Sequence, residues 1–280
     1  MKICIGTANF NRKYGLNKKK LSLTQKKKIF GELNKQNIKF LDTANAYKSD
    51  SFLNYNKKFN IITKLSSLKN FSKFDLQTEI ESQIKNLTRF KPLYAVLLHD
   101  CKDMFSKNNL DIYKSLLNLK KKKMIKKIGI SCYNENDLQI LKKFNFDIIQ
   151  FPLNIFDQRI LKKKNLMLLK NKELHVRSIF LQGLLLKDKN YVENYFSEWS
   201  KNFDNYYNFL KKNNLTSLEC CLRFIKQQKI ISKIVLGVEN INQLNQIIKI
   251  FKKKYSHRLN FKYLKTNDKN LILPFNWRLN

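Results

Sequence analysis

The chain has 280 residues, 43% of them hydrophobic and 28% charged, and a formal net charge of +35. That balance allows a large buried core and excludes an intrinsically disordered chain. No stretch reaches the 18 apolar residues of a membrane span, and the five cysteines (Cys4, Cys101, Cys132, Cys220, Cys221) show neither a disulfide framework nor metal-ligand spacing, so free thiols in a reducing, cytoplasmic setting are expected.

Short apolar, often β-branched runs alternate with longer stretches of helical spacing. The first strand is predicted at Ile3–Ile5 and reads as a core strand, not a signal peptide. A helix over Leu21–Asn34 follows, carrying Leu23, Ile29, Phe30 and Leu33. Strands are then predicted at Ile38–Leu41 and Ile61–Thr63, and a helix over Leu76–Leu87 repeats Ile80, Ile84 and Leu87 at three- and four-residue steps. The alternation continues with strands at Tyr94–Leu98, Ile128–Ser131, Ile148–Phe151, Val176–Phe180 and Ile234–Leu236. Helical stretches lie at Leu110–Leu119, Leu138–Phe144, Leu215–Ile225 and Leu244–Phe251. A longer excursion, roughly 187–214, is rich in aromatics (Tyr195, Phe196, Trp199, Phe203, Tyr206, Tyr207) whose spacing suits a helix packed on its neighbours better than a substrate pocket. The stretch 271–280, with Pro274, Phe275 and Trp277, reads as a tail near the rim.

Strands that are continuously apolar are the mark of parallel strands buried on both faces. Eight of them separated by helices, with no linker, point to an α/β protein: a single-domain (β/α)8 TIM barrel over residues 1–280.

In such a barrel, function sits where strands end at their carboxyl side. Three successive strands are followed by Asp42 and Tyr47, by Lys64, and by His99. Adjacent parallel strands lie about 4.8 Å apart, so these four side chains can share one pocket. An ammonium beside a phenol favours the phenolate and makes Tyr47 a better proton donor. Asp42 would hold Lys64 charged, and His99 would polarise a carbonyl. Taken alone, Asp42 would read as a helix N-cap after a strand; the company of Tyr47, Lys64 and His99 favours the catalytic role. The other two histidines, His175 and His257, lack that context and read as structural or surface residues, and Cys101 reads as an inert thiol.

With these pieces in place the chain resembles the aldo-keto reductase family. The matching segments run in order: Gly6-Thr7 with Tyr14-Gly15, Leu41-Asp42-Thr43-Ala44 with Tyr47, Thr63-Lys64, Leu98-His99, Gly129-Ile130-Ser131, Gln150-Phe151-Pro152-Leu153-Asn154, and Arg177-Ser178 with Gly183. The resemblance implies NAD(P)H-dependent reduction of an aldehyde or ketone. Tyr47 would be the general acid, Lys64 and Asp42 would tune it, and His99 would orient the carbonyl. It also implies that Ser131 and Gln150 bind the nicotinamide carboxamide. Gly6 and Thr7 belong to the same cofactor set. Ser178, Leu181, Gly183 and the loop from Gly237 would grip the diphosphate and adenosine end.

Three positions depart from the family pattern. Ser131 is followed by Cys132 where the family commonly has Asn, and Arg177 stands where a planar aromatic often stacks on the nicotinamide. After the eighth strand, Gly237 and Gln243 replace the usual basic residues, with Glu239 between them. A 2′-phosphate about 5 Å from that carboxylate would be repelled by a few kcal/mol at an effective dielectric of about 20. NADPH and NADH both stay open, with a slight lean to NADH.

The positive charge alone would suggest a nucleic-acid partner. Lysine, however, outnumbers arginine about seven to one and is spread along the chain, in runs such as Lys18 to Lys20, Lys26 to Lys28 and Lys252 to Lys254. Arginine is the better fork for phosphate, so a solvated surface with no specific nucleic-acid site is expected. Other partners implied are a small-molecule carbonyl substrate, sugar-related by the loop after strand seven, and no membrane. The expected assembly is a monomer or a weak oligomer, with no metal. The alternative reading is a catalytically weak cofactor-binding regulatory or interaction protein on the same scaffold.

Overall fold

A computed structural model describes residues 1–13, 15–16, 20–47, 58–89 and 91–277. Tyr14, Lys18 and Lys19, singled out in the sequence, lie outside the described residues. Eight parallel strands close into a barrel in sequence order: β1 (Lys2–Gly6), β2 (Phe40–Asp42), β3 (Asn60–Leu65), β4 (Leu93–Leu98), β5 (Ile125–Ser131), β6 (Ile148–Pro152), β7 (Glu173–Arg177) and β8 (Ile231–Leu236). β1 closes the ring by pairing with β8, Ile5 opposite Leu236.

Side chains two apart on a strand share a face. Cys4, Phe40, Ile62, Ala95, Leu97 and Ile148 form an apolar cluster distinct from the larger one between strands and helices. It fills the barrel interior. Asp42, Lys64, His99 and Gln150 each follow a member of it by two residues, so the same face carries them to the mouth. At Gly129 the interior has no room for a side chain. A Cβ there would lie 2.6 Å from Ile148 O and 3.0 Å from a Leu97 side-chain carbon.

The helices around the barrel are capped by their own sequence. Ser22 and Gln25 form a reciprocal capping box at Leu23–Lys35, and the Ser72 side chain accepts from Asp75 N at Lys73–Thr88. The predicted helix over Leu138–Phe144 is instead a 3-10 helix, Glu135–Lys142. A short helix, Lys163–Leu168, lies between β6 and β7. The excursion after β7 folds as two helices, Lys189–Tyr195 and Ser200–Lys212. Phe203, Tyr206 and Phe209 are buried, and the Phe203 ring packs 5.1 Å from Phe156. None of the six aromatics lines the mouth cavity, so the packing reading holds. In the tail, Trp277 packs 5.1 Å from Phe196, and Phe275 reaches Tyr133 at the rim, 5.7 Å between ring centres.

One predicted strand is displaced. The apolar run Val176–Phe180 predicts the seventh strand, but β7 is Glu173–Arg177. Ser178 has φ +58°, in the left-handed region, and ends the strand there. The true start is hidden because polar Glu173 and His175 point into the barrel, where they join Tyr94, Lys127 and Lys233. The Glu173 carboxylate accepts from Lys233 Nζ (2.6 Å), from Tyr94 Oη (2.7 Å) and from Lys127, and lies 3.0 Å from His175 Nε2. Burial alone would raise the Glu173 pKa; these four hydrogen bonds overcome it and hold the pKa well below its ordinary value. This polar cluster closes the base of the barrel, at the end opposite the mouth. All five cysteines are buried free thiols, and no described helix is long and apolar enough to cross a membrane.

Candidate active site at the barrel mouth

A cavity of about 560 Å³ opens at the carboxyl ends of the strands. Asp42, Tyr47, Lys64 and His99 all line it. Asp42 ends β2, Lys64 lies one residue before the end of β3, and His99 follows β4. Tyr47 ends a 3-10 turn, Asn45–Tyr47, and its N–H donates to Ala44 O at 2.9 Å.

Lys64 and Asp42 form a buried ion pair, their side chains 3% and 5% exposed. Lys64 Nζ also donates to Thr43 O at 3.3 Å. Burial pushes the Lys64 pKa down, but the Asp42 carboxylate, Tyr47 and the hydrogen bond to Asp42 raise it above its ordinary value, so it stays charged. The second Asp42 oxygen accepts from Gln150 Nε2 at 2.8 Å. Both carboxylate oxygens thus face side chains in the mouth, not the free N–H groups of a helix start as an N-cap would. Lys64 Nζ is 5.9 Å from the centre of the Tyr47 ring, and the Tyr47 and His99 rings meet edge-on at 6.0 Å. Burial, helped by Lys64 and Arg177, pushes the His99 pKa down to about 4, so the imidazole is neutral at pH 7.

Beside the tetrad lies a second group. Ser131, the last residue of β5, is the register partner of Gln150, two residues before the end of β6. Asp42 takes the Gln150 NH2, which leaves Oε1 as the remaining polar atom of that amide. Ser131 Oγ and Gln150 Oε1 are buried and have no hydrogen-bond partner among the described residues. One hydroxyl donor next to one amide acceptor matches the two ends of a carboxamide. The residues present therefore fit a nicotinamide at this place.

Gly6, Thr7, Arg177, Ser178, Gly183, Gly237, Glu239 and Gln243 also line the cavity. Thr7 Oγ1 donates to Thr43 Oγ1 at 2.9 Å and so ties β1 to β2. Glu239 N donates to Gln243 Oε1 at 2.9 Å, holding the loop after β8. Leu181 is the exception among the predicted cofactor residues. Its side chain is fully buried in the core, and its N–H donates to Ser178 O at 2.9 Å. It shapes the loop after β7 and offers the cavity no side chain.

Several lining residues carry no mark in the sequence. Tyr133 is the most consequential. It follows Cys132 on the loop after β5 and takes the Arg177 guanidinium on its ring face, 4.1 Å to the centroid. Arg177 Nη2 also donates to Cys132 O at 3.1 Å. Thr216 and Ser217, at the start of the helix Ser217–Lys226, line the far side. Arg12 lies over the Tyr47 ring at 4.4 Å. Cys101 and Cys132 sit behind the mouth with Asp137, their ligand atoms within 4.8 Å of one another. A hydrogen bond to Cys132 and burial push the Cys101 thiol far above its ordinary pKa, consistent with an inert thiol. His175 is fully buried in the base cluster, and exposed His257 accepts from Arg223 through its carbonyl.

No curated protein sequence matches the chain. Among solved structures, the holo form of aldo-keto reductase AKR11C1 from Bacillus halodurans superposes with a TM-score of 0.71 at 15% identity, covering 94% of this chain and 91% of that one. A point mutant of Gox0644 in complex with NADPH gives 0.65 at 18% identity, covering 95% and 90%. MGS-M4, an aldo-keto reductase from a Medee basin deep-sea metagenome library, gives 0.64 at 14% identity, covering 94% and 90%. These likenesses establish the fold, and a sequence profile of the aldo/keto reductase family matches residues 2–261. The chain belongs to the aldo/keto reductase family of NAD(P)H-dependent oxidoreductases.

Proposed function

We propose that the chain reduces an aldehyde or ketone to the alcohol with Tyr47 as the general acid. One observation carries the reading: a buried Lys64–Asp42 pair, Tyr47 and a neutral His99 converge on one cavity beside the unpartnered Ser131 Oγ and Gln150 Oε1. When bound there, the dinucleotide supplies a hydride to the carbonyl carbon. Ser131 and Gln150 would hold its carboxamide, and Gly6, Thr7, Ser178, Gly183, Gly237, Glu239 and Gln243 would contact the rest. Tyr47 gives its hydroxyl proton to the carbonyl oxygen. Lys64, kept charged by Asp42, stabilises the negative charge that develops on the phenol oxygen as the proton leaves. His99, being neutral, donates one N–H to the same carbonyl oxygen and fixes its direction. Gln150 links the two halves, since its amide orients Asp42 on one side and faces the dinucleotide on the other.

NADPH and NADH are carried together. Glu239 on the cavity wall disfavours a 2′-phosphate next to it, while the structural relative Gox0644 was solved with NADPH. A binding titration of each decides between them. The general-acid role is tested by following cofactor absorbance with a panel of aldehydes, aldose sugars included. Tyr47→Phe is expected to lower kcat by about 10²–10⁴-fold, the usual contribution of general acid catalysis. Near-wild-type turnover by that variant would remove Tyr47 from the mechanism. Tight dinucleotide binding with no turnover of any carbonyl would favour the regulatory alternative.

A further inference from the structure

Resting on the cofactor reading above, we infer that Arg177 makes this site select the redox state of its dinucleotide, holding the reduced form in preference to the oxidised one. Ser131 ends β5, its register partner Gln150 lies two residues before the end of β6, and Arg177 ends the next strand, β7, opposite Pro152. All three line the same cavity. Parallel neighbours lie about 4.8 Å apart, so a ring whose carboxamide reaches Gln150 sits within roughly two strand spacings of the guanidinium.

The guanidinium is held rigidly. Tyr133 takes it on its ring face at 4.1 Å, and the Cys132 carbonyl accepts from it at 3.1 Å. Both partners are neutral, so neither cancels its charge. The other charges of the inner mouth balance: Lys64 is bound to Asp42, and His99 carries none at pH 7. Arg12, over Tyr47 on the rim, and Lys187, on the cavity wall after β7, are further cations outside the inner mouth, and Glu239 stands after β8 at the other end. The inner mouth is therefore net positive through Arg177.

Carbonyl reduction changes the charge of the ring. A hydride, two electrons and a proton, leaves the neutral dihydronicotinamide for the carbonyl carbon. The carbonyl oxygen takes its proton from Tyr47, and the ring is left as a cation. The guanidinium is indifferent to the neutral ring and repels the cationic one, and because Arg177 is half-buried, solvent screens that repulsion only in part. The oxidised product is thereby expelled and competes poorly with the reduced form for the empty site. The adenosine and diphosphate are common to both forms, so their contacts cancel in the ratio of the two dissociation constants.

Calorimetric titration of the wild type with NADPH, NADP⁺, NADH and NAD⁺, with no carbonyl present, reads that ratio directly. Within the better-bound pair, the oxidised form is expected to have a Kd about tenfold or more above that of the reduced form. Arg177→Gln is expected to narrow the ratio to about threefold or less by tightening the oxidised form, whereas Arg177→Lys keeps most of it. A wild-type ratio near one overturns the inference without any variant. So does a glutamine variant that weakens both forms equally. Arg177→Met supplies a second neutral side chain if the glutamine variant does not fold. Absence of dinucleotide binding by the wild type would instead overturn the cofactor reading on which the inference rests.

Discussion

Asp42 serves two partners at once. One oxygen holds Lys64 and the other holds the Gln150 amide, so a single carboxylate ties the proposed proton-donating side of the mouth to the proposed carboxamide side. His99 is uncharged at pH 7, and that has a cost that can be measured. Its pKa is about 4 in the folded protein against an ordinary value near 6.5. A lowered folded pKa means that the unfolded chain binds the proton first. The stability tied to neutral His99 is therefore complete above about pH 6.5 and is lost as pH falls toward 4. The shift corresponds to at most about 3 kcal/mol. Urea unfolding between pH 7 and 4 should show the wild type losing up to about that much more stability than His99→Gln. Equal pH slopes for the two proteins would contradict a neutral, buried His99.

At the scale of strands and loops, the two ends of the barrel divide the work. The mouth carries the proposed site, and the base carries a polar cluster in which Glu173 binds Lys127, Lys233, Tyr94 and His175. Removing the one carboxylate of the cluster takes the counter-charge from Lys127 and Lys233. Glu173→Gln is expected to cost about 2–4 kcal/mol in chemical denaturation, discounted for partial exposure, while turnover under native conditions changes little. The mouth is the more legible end in the sequence. β2, β3 and β4 are short apolar runs near whose ends a polar residue stands, so Asp42, Lys64 and His99 mark their own positions. β7 reads three residues late because its inward positions, Glu173 and His175, are polar and its apolar residues face the helices. Arg177 is still legible, but its contact with Tyr133 joins the end of β7 to the loop after a non-adjacent strand, β5, and leaves no local pattern. The helix Lys163–Leu168 is hidden for a simpler reason: six residues are too few for a helical period to show.

Across the whole molecule, a net charge of +35 is spread on a lysine-rich surface. Such a surface repels itself, and salt relieves the repulsion. Thermal melts at neutral pH should show Tm rising by several degrees between low salt and physiological ionic strength. A flat response would mean that the lysines are neutralised locally. The barrel's closure has a further consequence, for how the chain comes off the ribosome. β1 needs both β2 and β8 as neighbours, and the β8 partners of its residues lie at 233–236. The strands bearing Asp42, Lys64 and His99 are synthesised first. Until residue 236 has emerged, however, the nascent sheet keeps an unpaired edge, and such edges are prone to pairing with other chains. The last long-range contact to form is thus the one that turns an open sheet into a ring. Asp42, Tyr47, Lys64 and His99 are joined by Gln150 and Arg177, on β6 and β7, only as that ring nears completion.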